Sequence, residues 1–198
     1  MRFFKKNIVR SLLPHRLLSL CGAVCLLLCC GSAGAQEATL RDVVVTNSTT
    51  DLLLYCSVEN GFSPDMLESV RNGIPITFTF FVRLEQHRTL LPDREIASFS
   101  FDHTISYDNL KEEYQVSFSG AGVKSETTAS LGDAERMMTQ VNGFKVVSLG
   151  ELEPDAQYGL KVKVSLARKT LPLNFHYIVP FWHLWDLETE WYTVRFRY

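Results

Sequence analysis

Beyond residue 36, apolar and polar side chains alternate one by one over long stretches, the period of a strand with one buried face and one wet face. Tyr114, Val116 and Phe118 alternate with Glu113, Gln115 and Ser117, and Leu160, Val162, Val164 and Leu166 alternate with Lys161, Lys163 and Ser165. Ile74, Ile76, Phe78, Phe80, Val82 and Leu84 share one parity; Tyr192, Val194, Phe196 and Tyr198 alternate with Thr193, Arg195 and Arg197. Weaker signals predict strands at Leu40 to Thr46, Asp51 to Glu59, Glu95 to Phe101, Phe144 to Leu149 and Leu173 to Val179. The total is about nine half-buried antiparallel strands.

Two stretches break this period. Ser63 through Gly73 opens on a capping serine with Pro64 at the first helical position, and ends at Gly73, where a left-handed residue can stop a helix. Leu131 through Gly143 carries Leu131, Ala134, Met138 and Val141 at helical spacing and is expected to stop at Asn142-Gly143. Helices this short must pack on sheets to persist. The predicted fold is mainly β: an antiparallel β-sandwich of about nine strands with two short helices in the connections.

The chain's first 35 residues fall outside this pattern. They carry Arg2, Lys5, Lys6, Arg10 and Arg16 with no acid, then an apolar run from Leu17 to Leu28, then Ala33-Gly34-Ala35-Gln36. Such an order reads as a signal peptide cleaved after Ala35, leaving residues 36–198 as a single domain. An uncleaved membrane anchor is the alternative, although the apolar run falls short of the roughly 20 residues a span needs. Lipid attachment is disfavoured, because Cys25, Cys29 and Cys30 follow Val24, Leu28 and Cys29 rather than a small residue.

Cleavage would change the charge and the cysteine count. The full 198 residues hold 20 Lys and Arg against 22 Asp and Glu; without the five leader cations 15 remain, a formal charge of −7. An acidic exported domain is a poor ligand for nucleic acid or an anionic membrane. Of the five cysteines only Cys56 lies beyond the leader, so no disulfide forms within the domain. Cys56 shares the parity of Leu52, Leu54 and Val58 and is expected to be buried.

No motif announces a reaction. A Gly-rich phosphate loop and a G-x-S-x-G elbow are both missing from the sequence, and His87, His103, His176 and His183 lack metal-ligand spacing. His176, His183 and Asp186 could converge in a fold, as could Asp102, His103 and Asp108. Arg83, Arg88 and Arg94 flank His87 near the turn Leu91-Pro92-Asp93, interleaved with Glu85, Asp93 and Glu95, which predicts a largely self-neutralised hairpin tip. The last 24 residues hold all three tryptophans, Trp182, Trp185 and Trp191, with Phe175, Tyr177, Phe181, Tyr192, Phe196 and Tyr198. Aromatics of this density close a core, offer a partner or ligand surface, or sit at a membrane interface. Gly73 and Pro75 read as a structural corner, one ending a helix and the other opening a strand.

Asn72-Gly73-Ile74-Pro75-Ile76-Thr77-Phe78, Tyr107-Asp108-Asn109-Leu110 followed by Tyr114, Leu171-Pro172-Leu173, and Trp185-Asp186-Leu187-Glu188-Thr189-Glu190-Trp191 stand in an order that resembles the exported bacterial domain-of-unknown-function family 4390 (DUF4390). The likeness spans nearly all of residues 36–198. Where that family tends to place tryptophans after the arginine of Gln86-His87-Arg88, this chain has Leu90 and Leu91. The resemblance implies export and one domain and brings no activity. It hints at an accessory of signalling, since genes of such domains can lie beside those of envelope-stress or nitrogen-type sensor kinases.

The leading expectation is a non-enzymatic protein- or peptide-binding module of the periplasm or cell envelope, with Trp182, Trp185, Trp191 and Arg88 as candidate partner surface and Gly73, Pro75, Tyr107 and Asp108 as structural motif. No catalytic residue, metal or cofactor is expected; the partner is an envelope protein, not nucleic acid, and the domain is not expected to insert stably in a membrane. Two alternatives stand beside it. One is a small-molecule or glycan binder or weakly marked hydrolase; the other is a small outer-membrane β-barrel, suggested by the alternating aromatic terminus.

Overall fold

A computed structural model describes residues 37–120, 122–166 and 187–198. Within them the chain runs β1 (Thr39–Asn47), β2 (Asp51–Glu59), α1 (Pro64–Arg71), β3 (Ile76–Gln86), β4 (Arg94–Asp108), β5 (Glu113–Phe118), β6 (Lys124–Thr128), α2 (Leu131–Thr139), β7 (Gln140–Ser148), β8 (Gln157–Leu166) and β9 (Tyr192–Arg197). The strands form two antiparallel sheets, one of three strands in the order β1-β2-β7 and one of six in the order β6-β5-β4-β3-β8-β9.

The period-2 pattern becomes the two layers. Leu52, Leu54, Cys56 and Val58 of β2 join Phe78, Phe80, Val82 and Leu84 of β3 and Tyr158, Leu160, Val162 and Val164 of β8 in one buried apolar cluster. Each large side chain removed from water contributes about 1.5–3 kcal/mol. The partners between them, such as Thr79, Arg83, Lys161 and Lys163, lie on the outer face of the six-stranded sheet. This arrangement is the sandwich expected, with the apolar faces turned inward.

At the centre of the core, Phe80 stacks on Phe101 with centroids 5.0 Å apart and 4° between planes, and Phe101 stacks on Phe144 at 3.9 Å. His103 joins this stack, 4.7 Å from Phe80 and edge-on to Phe118 at 4.8 Å. Its Nδ1–H donates to the carbonyl of Met138 at 3.0 Å, which ties the end of α2 to β4. Burial pushes the imidazole below its ordinary pKa, so the neutral ring is the form the core holds.

Helix α1 keeps the punctuation read from sequence. Ser63 Oγ accepts the Met66 N–H at 3.2 Å. Gly73, at φ +81°, donates to Val70 and Ile74 donates to Ser69, the paired bonds of a Schellman stop. Pro75 then stands just before β3, where its missing N–H costs nothing.

Three expectations are corrected. The second helix ends at Thr139 rather than Gly143: Val141 is a buried residue of β7, and Gly143, at φ +72°, is the extra residue of a bulge opposite Leu54 and Tyr55. Strand β6, Lys-Ser-Glu-Thr-Thr, was not anticipated, because an exposed edge strand has no apolar parity to show. Strand β4 runs through Asp108, well past Phe101. The expected strand at Leu173 to Val179 lies outside the described residues.

Candidate functional site

The outer face of the six-stranded sheet carries a groove of about 1000 Å³ between β8, β9 and the connection of β3 to β4. Alternation places its walls. Lys161 of β8 and Thr193, Arg195 and Arg197 of β9 share the outer parity, while Tyr158 and Phe196, stacked at 5.7 Å, lie beneath on the inner one. A bulge between Leu84 and Glu85 re-aims the end of the β3–β4 hairpin. The His87 N–H donates to the Gln157 carbonyl at 2.8 Å and pins that hairpin to β8. At the far end, the Asp155 N–H donates to the Tyr198 carbonyl at 2.6 Å and fixes the end of β9.

Most charges on this face are spent on one another. Lys161 Nζ lies 2.6 Å from Glu85, Arg83 3.4 Å from Glu95, Arg94 3.3 Å from Glu153, and Lys163 pairs with Glu188. His87 Nδ1 bonds Asp93 at 2.9 Å, and this bond holds the Asp93 carboxyl below the ordinary carboxylate range. Arg195 and Arg197 differ. Among the described residues no carboxylate pairs with either; Arg197 donates from Nε to the backbone carbonyl of Asp155 at 3.0 Å. Gly159, opposite Arg195 in the β8–β9 register, has no side chain, and a Cβ there would meet only Thr193 Cγ2, at 3.9 Å.

Trp191 continues the face. It is 41% exposed, with the Arg83 guanidinium 5.6 Å and the Lys163 ammonium 5.8 Å from its ring centroid, so cation–π contacts hold a large apolar surface open to solvent. At the hairpin tip Leu90 and Leu91 are 94% and 60% exposed. Arg88 stands beside them, its Nε donating only to the Pro92 carbonyl at 3.0 Å. Of the three arginines expected to be neutralised around this tip, Arg83 pairs with Glu95 and Arg94 with Glu153, whereas Arg88 and two leucines are presented outward. Trp182 and Trp185 lie outside the described residues, as do His176, His183 and Asp186.

The other sequence candidates are structural. Asp102 and His103 point to opposite faces of β4; Asp102 accepts from Thr79 Oγ1 at 2.7 Å, and Asp108 accepts the Leu110 and Lys111 N–H groups in a turn. The three do not converge. Tyr107 packs on its cross-strand partner Tyr114 with rings 4.7 Å apart. Gly73 abuts Asn109, whose Nδ2 would lie 3.3 Å from an added Cβ, so the Gly73-Ile74-Pro75 corner and the Tyr107-Asp108-Asn109 turn brace each other. Among the described residues no three His, Cys, Asp or Glu gather as a metal site, and no helix is long and apolar enough to cross a membrane.

Cys56 is buried, and desolvation pushes its thiol up to about 12. A maleimide at pH 8 is expected to leave Cys56 unmodified in the folded protein and to modify it fully in denaturant, read by peptide mass mapping. Rapid labelling of the native chain would contradict its packing.

Comparison with known proteins gives one match. A family model described as "Domain of unknown function (DUF4390)" matches residues 35–195. No curated protein and no solved structure matches the chain.

Proposed function

The chain belongs to the domain-of-unknown-function family DUF4390, whose name carries no activity, and from its own surface we propose an exported cell-envelope module that binds a protein partner and catalyses no reaction. The observation that carries this reading is one continuous face: the exposed Leu90 and Leu91, the groove with Arg195 and Arg197, and Trp191 held open between two cations. Exposed Trp and Arg beside a concave surface have the composition of binding hot spots, and the leucines add apolar area around them. Opposed to a partner, Trp191 and the leucines supply desolvation while the arginines supply orientation. In this reading the leader through Ala35 is removed, and residues 36–198 work in the periplasm or at an envelope surface.

The test is site-specific photo-crosslinking in the producing cell. A photoreactive residue at position 90 or 191 is expected to give one adduct of the same mass, whereas position 127 on β6, across the sheet, gives none. The recovered chain is expected to begin at Gln36 in the exported fraction. Absence of an adduct at both 90 and 191, or the same adduct from 127, would overturn the partner face, and a full-length cytoplasmic chain would overturn export.

A further inference from the structure

We propose that the partner segment seated in the β8–β9 groove is an extended acidic stretch with carboxylates two residues apart. The inference rests on the binding-module reading and gives its ligand a chemistry. Arg195 and Arg197 leave β9 on the same face with one residue between them, so their origins stand about 6.8 Å apart along the strand. An extended chain repeats with the same period, and side chains at positions i and i+2 meet both arginines together. On a helix, residues two apart face away from each other.

Charge assigns the occupant. Arg83, Arg94, Lys161 and Lys163 each have a carboxylate within 4 Å, while neither groove arginine has one among the described residues. Of the lysines and arginines lining the groove, Arg195 and Arg197 alone lack a carboxylate among the described residues, and each guanidinium is able to grip one carboxylate through two parallel hydrogen bonds. The bond from Arg197 Nε to Asp155 orients that side chain in advance and leaves its terminal nitrogens for a ligand. Glu85 and Asp93 line the same groove. A polyanion such as nucleic acid or an anionic bilayer would be driven against them, whereas two discrete carboxylates reach the arginines without doing so. The bare backbone at Gly159, opposite Arg195, gives the segment a floor to lie on.

The test is fluorescence anisotropy with the protein as recovered from the producing cell and labelled, end-blocked seven-residue peptides in a threonine background. The peptide with Glu at positions 3 and 5 is expected to bind at least about 10-fold tighter than one with Glu at 3 and 4, and to weaken with salt. Arg195→Gln and Arg197→Gln are each expected to weaken it about 10-fold or more. Gly159→Val, a strand-compatible side chain growing into open space, is expected to abolish binding while the melting temperature stays near wild type. Equal binding of the two peptides, indifference to both arginine changes, no saturation by about 1 mM, or preference for an oligonucleotide or anionic vesicles would overturn the proposal. If the crosslink from position 191 survives while the peptides fail, only the groove's ligand chemistry falls; if both fail, the binding-module reading falls with it.

Discussion

Phe80→Ala is expected to cost about 3–5 kcal/mol of stability, a large share of the roughly 5–15 kcal/mol that holds an ordinary domain folded. The ring is fully buried on the central strand β3 and touches Phe101 and His103, and Phe101 in turn stacks on Phe144 of the opposite sheet. Removing it leaves a cavity beside the aromatic stack that joins the two layers, and stiff strands on two sides cannot collapse to fill it. At about 2–4 °C per kcal/mol for a chain of this size, the melting temperature should fall by roughly 6–20 °C. Phe81→Ala is the matched control. Its ring faces outward and is 37% exposed, so the change is expected to cost about 1 kcal/mol or less. Equal losses for the two neighbours, read by urea or thermal unfolding, would mean that the face assignment of β3 is wrong.

The second large effect is acid destabilisation through His103. Its imidazole is enclosed by Phe80, Phe101, Phe118 and the Met138 carbonyl, and desolvation lowers its pKa from the ordinary 6.5, against smaller raising effects of that carbonyl and Asp102. Above 6.5 the ring is neutral in both folded and unfolded chains and stability is unaffected by its titration. Below 6.5 only the unfolded chain takes up the proton, so stability falls with pH, by up to about 1.4 kcal/mol per unit, until the folded-state value is passed. His103→Phe is expected to flatten this part of the pH–stability curve, although it leaves the Met138 carbonyl without its donor and so lowers the plateau by about 1–3 kcal/mol. Subtracting the two curves isolates His103, because His87 is present in both. Asp51 and Asp93, whose values are lowered by bonds to Lys145 and His87, lose their contribution only at pH below 3.8, outside this window. A wild-type curve flat between pH 7.5 and 5 would contradict the burial of the ring.

Half-buried strands were legible because a sheet with one wet face writes its period into the sequence; β2, β3, β5 and β8 are such strands. The edge strand β6 was not, since every residue of Lys-Ser-Glu-Thr-Thr is polar and no apolar side chain marks the face it turns inward. Asn142-Gly143 misled for a different reason: an Asn-Gly pair serves a helix stop and a strand bulge equally well, and only the register against Leu54 and Tyr55 decides between them. The site was legible in pieces. Trp191 and Arg88 stood out by composition, and both side chains are exposed. Arg195 and Arg197 were visible only as the polar half of an alternation. What makes them a pair facing a groove is the meeting of the β3–β4 hairpin with β8 and β9, a long-range arrangement that no local pattern encodes.

Synthesis from the N-terminus delivers β4, β5 and β6 to the larger sheet before β8 exists, yet β3 finds its second neighbour only in β8, with Phe78 beside Leu166 and Gln86 beside Tyr158. Throughout that interval the most apolar strand of the nascent domain is an edge, with one row of amides and carbonyls unpaired. A chain stalled or clipped before residue 157 keeps that edge permanently, with Ile76, Phe78, Phe80, Val82 and Leu84 along it. Such an edge is a template for pairing with another chain, which makes the late arrival of β8 the step that closes it.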